Sequence, residues 1–386
     1  MSLPPLVAPA DALPSGELER ASRQLRMLEI GETGQRRLFA ARVCVLGAGG
    51  LGAPALLYLA GAGVGTIGIV DDDAVDASNL QRQIVHGVSS LGRAKTESAT
   101  ERIHSLSPHT RVIDHRERLT AANAREVLAG YDIVLDGADT FETRYLISDV
   151  CSELGLPVVW ASVLRFDAQV SVFWSRPTAG TAPVTLRDVF PTPPSAGEVP
   201  SCSVAGVLGP LCGQAGSIMA AEAIKLICGI GTPLIGRMLV IDALGARSTE
   251  VPIIGEKRAP LPHPAGATLR HPAVETVSVA ELATLIASGA PLDLIDVREP
   301  IEHADTIPGS RAIALGSVLR DPQAVAAAGD GSGIVVYCDE GPRARAAARS
   351  LASAGHDARV LDGGMTAWRE AAAADRAEVR RAGAAE

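Results

Sequence analysis

Two short stretches carry residue types in spacings that could do chemistry. Gly47-Ala48-Gly49-Gly50-Leu51-Gly52 follows an apolar β-type run and opens an apolar helical run. Glycines there let the backbone come close to a ligand, and the N–H groups of a helix N-terminus would face an anionic phosphate. Asp71 closes the next apolar run, about where a carboxylate would grip a ribose hydroxyl. Far along the chain, Cys338 ends the run Ile334 to Tyr337 and is followed by Asp339-Glu340-Gly341-Pro342 and a helical pattern beginning near Arg343. Backbone N–H groups and the dipole of a starting helix favour a thiolate and would stabilise a terminal persulfide anion.

These residues need elements to hold them. Val43 to Leu46 reads as a strand, Gly47 to Gly52 as a tight turn, Ala53 to Ala62 as a helix and Thr66 to Val70 as a second strand. The whole stretch from Val43 to Val70 lacks a charged residue and would pass a hydropathy test for a membrane span. Its glycines make it a buried βαβ unit instead. Strands at Ile133 to Leu135 and Pro157 to Trp160 continue the alternation, which implies a mostly parallel sheet wrapped by helices. A second uncharged stretch, Val199 to Ala221, reads as a loop running into a buried helix.

Between Pro252 and Pro272 the pattern dissolves into prolines, glycines and charges, as a linker would. A fresh α/β cycle follows, with a helix near Val279 to Ala287, strands at Leu292 to Asp296 and Ile334 to Tyr337, and a helix from Arg343 to Ala354. From about Ala371 the chain is rich in Ala, Glu and Arg, a helical or frayed tail. With 386 residues, two domains are expected: 15–250, a linker over 251–275, a smaller domain over 276–372 and a tail over 373–386.

The formal net charge of −9 argues against nucleic acid or an anionic membrane as partner, since either needs a basic face. The six cysteines form no CxxC pair and no dense framework, which fits reduced thiols in a cytoplasmic protein. The first residues, to about Arg26, lack the apolar core of a signal peptide.

Up to Asp71 the pattern fits an NAD-dependent dehydrogenase equally well. Ser78-Asn79-Leu80-Gln81-Arg82-Gln83, then Lys95, then Asp136-Gly137-Ala138-Asp139, with Arg23 in Ser22-Arg23-Gln24, break that tie. Over residues 15 to 250 the chain resembles the ubiquitin-activating superfamily of adenylating enzymes, closest to the bacterial molybdopterin-synthase and thiamine-pathway adenylyltransferases. The resemblance implies a Rossmann-like adenylation domain that uses ATP and magnesium in a homodimer. It assigns Gly47, Gly49, Gly50, Gly52, Asp71, Ser78, Leu80, Gln81 and Thr140 to the nucleotide. Asn79, Arg82 and Lys95 go to the triphosphate and Asp139 to the metal, while Arg23 reaches in from a second subunit. Arginine and lysine would neutralise charge building on the phosphates. Thr140 stands where relatives usually have asparagine.

Cys202 lies where that family has its conjugating or acyl-accepting cysteine. A thiolate there could attack an acyl adenylate or form a disulfide with sulfur already on the carrier; taken alone it reads more readily as an apolar filler, and the resemblance brings the two readings level. Cys44, Cys151, Cys212 and Cys228 sit in apolar runs and read as core. Many relatives hold a structural zinc through two CxxC pairs, which are missing here, so no zinc is expected.

From Val277 to Arg369 the chain resembles a rhodanese domain. The matching pieces, in order, are Asp296-Val297-Arg298-Glu299, Ile307-Pro308-Gly309, the persulfide loop Cys338 to Arg343 with Asp339, Glu340, Gly341 and Pro342, and Gly363-Gly364-Met365 before Trp368. Together the two resemblances imply an adenylyltransferase and sulfurtransferase acting on a ubiquitin-like sulfur-carrier protein with a Gly-Gly C-terminus. A persulfide on Cys338 would convert the activated carboxylate to a thiocarboxylate. Sulfur would come from a cysteine desulfurase or thiosulfate. Pro342 removes one N–H donor, and Asp339 with Glu340 should repel a dianion, which favours the protein donor. Two rivals remain: an adenylating enzyme whose rhodanese half only docks partners, and a nucleotide-regulated scaffold without turnover.

Overall fold

In the computed structural model, the described residues are 3–178, 180–193, 206–253, 274–329 and 333–382. They fall into two compact units, one ending at 253 and one starting at 274.

The first unit opens with three helices, α1 (Glu17–Arg20), α2 (Ser22–Leu25) and α3 (Gly31–Ala40). The alternation then runs β1 (Arg42–Leu46), α4 (Gly52–Ala62), β2 (Thr66–Val70), α5 (Lys95–Leu106), β3 (Arg111–His115), α6 (Ala124–Leu128), β4 (Ile133–Asp136), α7 (Phe141–Leu154) and β5 (Val158–Leu164). It closes with β6 (Asp167–Phe173), α8 (Leu186–Val189), α9 (Gly209–Cys228), β7 (Arg237–Asp242) and β8 (Arg247–Pro252).

Strand order is β3-β2-β1-β4-β5-β6-β7-β8. The first five are parallel and the last three pair antiparallel. Along β1 the side chains alternate: Val43 and Val45 join Leu56, Leu59 and Ala223 on one face, while Cys44 and Leu46 join Val134, Ile147 and Cys151 on the other. Both faces are thus covered, which is why β1 and β2 read as unbroken apolar runs. Full burial of each large aliphatic side chain contributes roughly 1.5–3 kcal/mol.

The antiparallel extension was not foreseen from the sequence. The hairpin from Leu164 to Asp167 turns on Arg165 with φ 54, so the glycine that normally marks such a turn is missing. Among the described residues, one helix, α9, is long and apolar enough to cross a membrane by length and composition. Here it packs on α4, β5 and β6, and it buries Glu222, whose Oε2 accepts the Leu234 N–H at 2.7 Å.

The second unit comprises β9 (Thr276–Val277), α10 (Val279–Ala287), β10 (Leu292–Asp296), β11 (Arg311–Ala312), α11 (Leu315–Arg320), α12 (Pro322–Ala327), β12 (Gly333–Tyr337), α13 (Pro342–Ser353), β13 (Ala358–Leu361) and α14 (Gly364–Ala382). Its sheet, ordered β11-β10-β12-β13-β9, is parallel throughout. Val277, Leu282, Leu294, Val335, Tyr337, Leu361 and Met365 form its core. Ser278 and Glu281 cap α10 reciprocally, as the Ser-x-x-Glu spacing dictates.

Candidate functional site

In the first sheet the strand order reverses between β1 and β4, which pair side by side from Val43↔Ile133 to Leu46↔Asp136. Ligands of open parallel sheets bind beyond the carboxyl ends of strands at such a reversal. The glycine turn leaves β1 there, and Gly137 to Asp139 leaves β4 beside it. Their approach depends on glycine: a Cβ on Gly52 would stand 1.7 Å from the Gly47 carbonyl oxygen, and one on Gly137 would stand 2.7 Å from that of Leu46. Gly47 itself has φ 83.

Around this turn the structure gathers most of the expected residues. Asp71 accepts the Ala48 N–H at 2.8 Å and the Asp73 N–H at 2.9 Å. Burial pushes its carboxyl above the ordinary range, against the pull of Lys95 and of those N–H groups. Lys95, first residue of α5, is buried and donates to Asp73 at 2.7 Å. Arg82 donates to the Ser78 carbonyl at 2.9 Å, its Cδ lying 3.6 Å from where a Gly50 Cβ would be. Ser78 and Asn79 build the local turn: Asp76 accepts from Ser78, and the Asn79 Oδ1 accepts the Asp76 N–H at 3.1 Å. Leu80 and Gln81 follow this turn, and the Gln81 carbonyl would stand 2.2 Å from a Cβ on Gly209 at the start of α9.

Asp139 is exposed with no polar partner among the described residues. Its scaffold is Asp136, buried and accepting the Ala138 N–H at 3.0 Å. Burial raises the Asp136 carboxyl, and Arg144 opposes this. Thr140 serves as N-cap of α7, its hydroxyl accepting the Thr143 N–H at 3.3 Å. Arg23 is exposed on α2 and has no partner among the described residues, away from the bonds that Arg20 and Gln24 make to the last carbonyls of α4. Cys202 lies outside the described residues. Burial pushes the Cys44 and Cys151 thiols far up and Cys228 up to about 11, as inert core sulfurs behave. Cys212 is also buried, its Sγ 3.1 Å from a Gly50 Cβ position, so it backs the glycine turn.

Two residues here escaped the sequence reading: His86, 7% exposed, touches Ala48 and Ser98, and Asp73 holds Lys95. Gln83, which closes the Ser78 to Gln83 motif, is buried beside Gly49 with its Oε1 unpartnered among the described residues. The run Asp71-Asp72-Asp73 and the end of the Gln81 to His86 segment were the available signals.

In the second unit Cys338 leaves β12 and is buried at 1% exposure. The Gly341 N–H donates to its Sγ at 3.1 Å, and α13 starts one residue earlier than expected, at Pro342. The repulsion expected from Asp339 needs correction. Its carboxylate lies among Arg343 at 3.1 Å, Arg298 at 3.5 Å and Arg369 at 3.6 Å, so its charge is compensated. Glu340, exposed, has no such partner among the described residues.

Arg298 is fully buried, forked onto Asp296 and donating to the Asp305 carbonyl at 2.6 Å. Arg343 is gripped by both Glu302 oxygens at 2.6 Å, and it holds that carboxyl down at about 2. Gly364 passes so close that a Cβ there would stand 2.4 Å from the Cys338 carbonyl, while Met365 donates to that carbonyl at 2.8 Å.

A glycine-lined turn at a sheet reversal, and a separate sheet presenting a cysteine at a helix N-terminus, are what an adenylating enzyme joined to a sulfur-handling module needs. The ThiF family model matches residues 21–262 and the rhodanese-like domain model matches 278–371; the chain belongs to the ThiF family. It is 45% identical over 383 residues to the probable adenylyltransferase/sulfurtransferase MoeZ of Mycobacterium tuberculosis, covering 95% of this chain and 96% of that one. It is 44% identical over 245 residues to the sulfur carrier protein adenylyltransferase of Thermus thermophilus, covering 64% of this chain and 90% of that one. Among solved structures, PaaA aligns with a TM-score of 0.54 at 21% identity, over 63% of this chain and 76% of that one, a likeness of fold. The protein is an adenylyltransferase and a sulfurtransferase, and its first reaction uses ATP.

Proposed function

We propose that the protein adenylates the C-terminal Gly-Gly carboxylate of a ubiquitin-like sulfur carrier and then exchanges one of its oxygens for sulfur from Cys338. A carboxylate is a poor acyl donor until one oxygen carries a good leaving group. The carboxylate oxygen attacks the α-phosphorus of ATP, the bond to pyrophosphate breaks, and an acyl adenylate results. The N–H groups of the glycine turn with Arg82 and Lys95 would hold the phosphates, and Asp71 the ribose. Asp139, a free carboxylate of the hard-oxygen kind that magnesium takes, would hold the ion. Bound magnesium supplies further charge neutralisation on the phosphates. Arg23, exposed and without a partner among the described residues, would complete the site of a second subunit in a homodimer.

The terminal sulfur of a Cys338 persulfide attacks the acyl carbon, and AMP leaves. A second thiol, Cys202 or an external one, then attacks the Cys338 Sγ, forming a disulfide and releasing the carrier thiocarboxylate. The observation that carries this reading is the Gly341 N–H on the Cys338 Sγ at the start of α13. That N–H and the start of the helix would hold the charge of a persulfide's terminal sulfur. The second sulfur also extends a buried nucleophile by about 2 Å. The Thermus relative, named for acting on a sulfur carrier, supports the choice of partner. A cysteine desulfurase is the favoured sulfur source, because Glu302 already occupies Arg343.

The test is the intact mass of a Gly-Gly-ended carrier after incubation with the protein, Mg-ATP and a sulfur donor. Sulfur in place of one oxygen, lost in Cys338→Ala, is the expected result. Sulfur transfer surviving that change would sink the persulfide step.

A further inference from the structure

His86 sits in no expected role, yet its ring joins two parts of the nucleotide site. Its Nε2 lies 3.0 Å from the Ala48 carbonyl oxygen, and its Nδ1 lies 3.0 Å from the Ser98 hydroxyl. A carbonyl only accepts, so Nε2 carries the proton; in the neutral ring Nδ1 then accepts from Ser98. Burial favours that neutral form.

These two bonds close a ring. The Ala48 N–H reaches Asp71 at 2.8 Å, Asp71 takes the Asp73 N–H at 2.9 Å, and Asp73 takes the Lys95 ammonium at 2.7 Å. Lys95 and Ser98 lie one turn apart on α5, and Ser98 returns through His86 to the Ala48 carbonyl. Ala48 is therefore held at both its N–H and its C=O.

The Ala48–Gly49 peptide is trans. Turning its carbonyl to His86 therefore turns the Gly49 N–H to the opposite side. The Gly49 and Gly50 N–H groups have no acceptor among the described residues.

We infer that His86 is a positioning residue, closing a hydrogen-bonded ring that sets the glycine-turn N–H groups at a fixed distance and angle from the Lys95 ammonium. A buried histidine that merely fills the core would not need to bond a carbonyl of the turn and the helix carrying the cation at once. The ring matters because phosphoryl chemistry depends on donors that are already in place before the ligand arrives. The inference rests on reading the turn and Lys95 as the triphosphate seat.

The experiment measures Mg-ATP and adenosine affinities, by calorimetry and competition, on the full chain. His86→Ala should weaken ATP about tenfold, through loss of the bonds to the Ala48 carbonyl and the Ser98 hydroxyl, and leave adenosine within about twofold. His86→Gln, whose amide N–H can still reach the Ala48 carbonyl, should recover most of the loss. Ser98→Ala, a milder change that keeps the fold, should weaken ATP about threefold.

In a double-mutant cycle, His86→Ala and Lys95→Met should be non-additive for ATP, because both act through one ring. Equal weakening of ATP and adenosine, or strict additivity with Lys95→Met, would make His86 a structural filler and overturn the inference. Lys95→Met alone tests the seat. If it leaves ATP affinity unchanged, the seat lies elsewhere and the ring falls with it; if it weakens ATP while neither His86→Ala nor Ser98→Ala does, the seat stands and the ring is refuted.

Discussion

The loops that follow β1 and β12 hold equivalent places in two sheets, each leaving the carboxyl end of a strand with parallel neighbours and entering a helix, but they are built from different materials. The loop after β1 is made of backbone. Its glycines approach other carbonyls at distances no Cβ tolerates, and its side-chain partners, Asp71 and His86, bind the main chain. The loop after β12 is made of charge. Cys338 receives one N–H, and the wall around it is a lattice of Arg298, Arg343 and Arg369 with Asp296, Glu302, Asp305 and Asp339. A phosphate must be met by free donors, and the Gly49 and Gly50 N–H groups, without an acceptor among the described residues, suit the phosphate seat proposed above. Near Cys338 the charges are instead paired with one another, three arginines shared among four carboxylates.

The comparison is broken most completely at the sulfur itself. Cys338→Ala should abolish sulfur transfer while leaving ATP-driven adenylation intact, as pyrophosphate release in the same assay would register. Next in size, Arg298→Leu strands the buried Asp296 carboxylate. It should cost about 3–5 kcal/mol, seen by calorimetry as a lower transition for the second unit only.

Gly52→Ala acts on backbone alone. With a Cβ forced against the Gly47 oxygen, the turn must shift, and ATP affinity should fall about a hundredfold without loss of sulfur loading on Cys338.

The smallest effect is expected at Glu302. Glu302→Gln should release Arg343 and raise Cys338 loading from thiosulfate by about threefold, measured as persulfide by mass. Because its folded-state value is depressed, Glu302 contributes stability fully above its ordinary value of 4.5, and this is lost as pH falls through about 2. The variant should therefore flatten the acid side of the second unit's unfolding profile between those values; an unchanged profile would show that the pair contributes nothing.

Much of this could be read in the chain. The apolar runs Val43 to Leu46 and Thr66 to Val70 are strands because buried parallel strands need apolar side chains on both faces. The helix Val279–Ala287 and strand Leu292–Asp296 fall where periodicity placed them. The rest was hidden for identifiable reasons. The antiparallel strands β6 to β8 turn on Arg165 and Ala246 at positive φ; residue type gives no turn signal at Arg165, whereas Asp242, which accepts the Gly245 N–H at 2.9 Å, and Gly245 itself mark the second hairpin locally. Asp339 looked like a source of repulsion because its three arginine partners lie 4, 30 and 41 positions away in the chain, from α13, α14 and the loop after β10.

The sequence by itself determined which residues could do chemistry and on which kind of local element each sits, because glycine spacing, helix capping and apolar period are local properties. Only the tertiary structure decided which of them meet. That Lys95 answers to Asp73, that Ala48 is gripped by Asp71 and His86, and that Glu302 binds Arg343 all follow from how separate segments pack. Hydrogen bonds reach about 3 Å, and neighbours at that range are chosen by the fold, not by order along the chain.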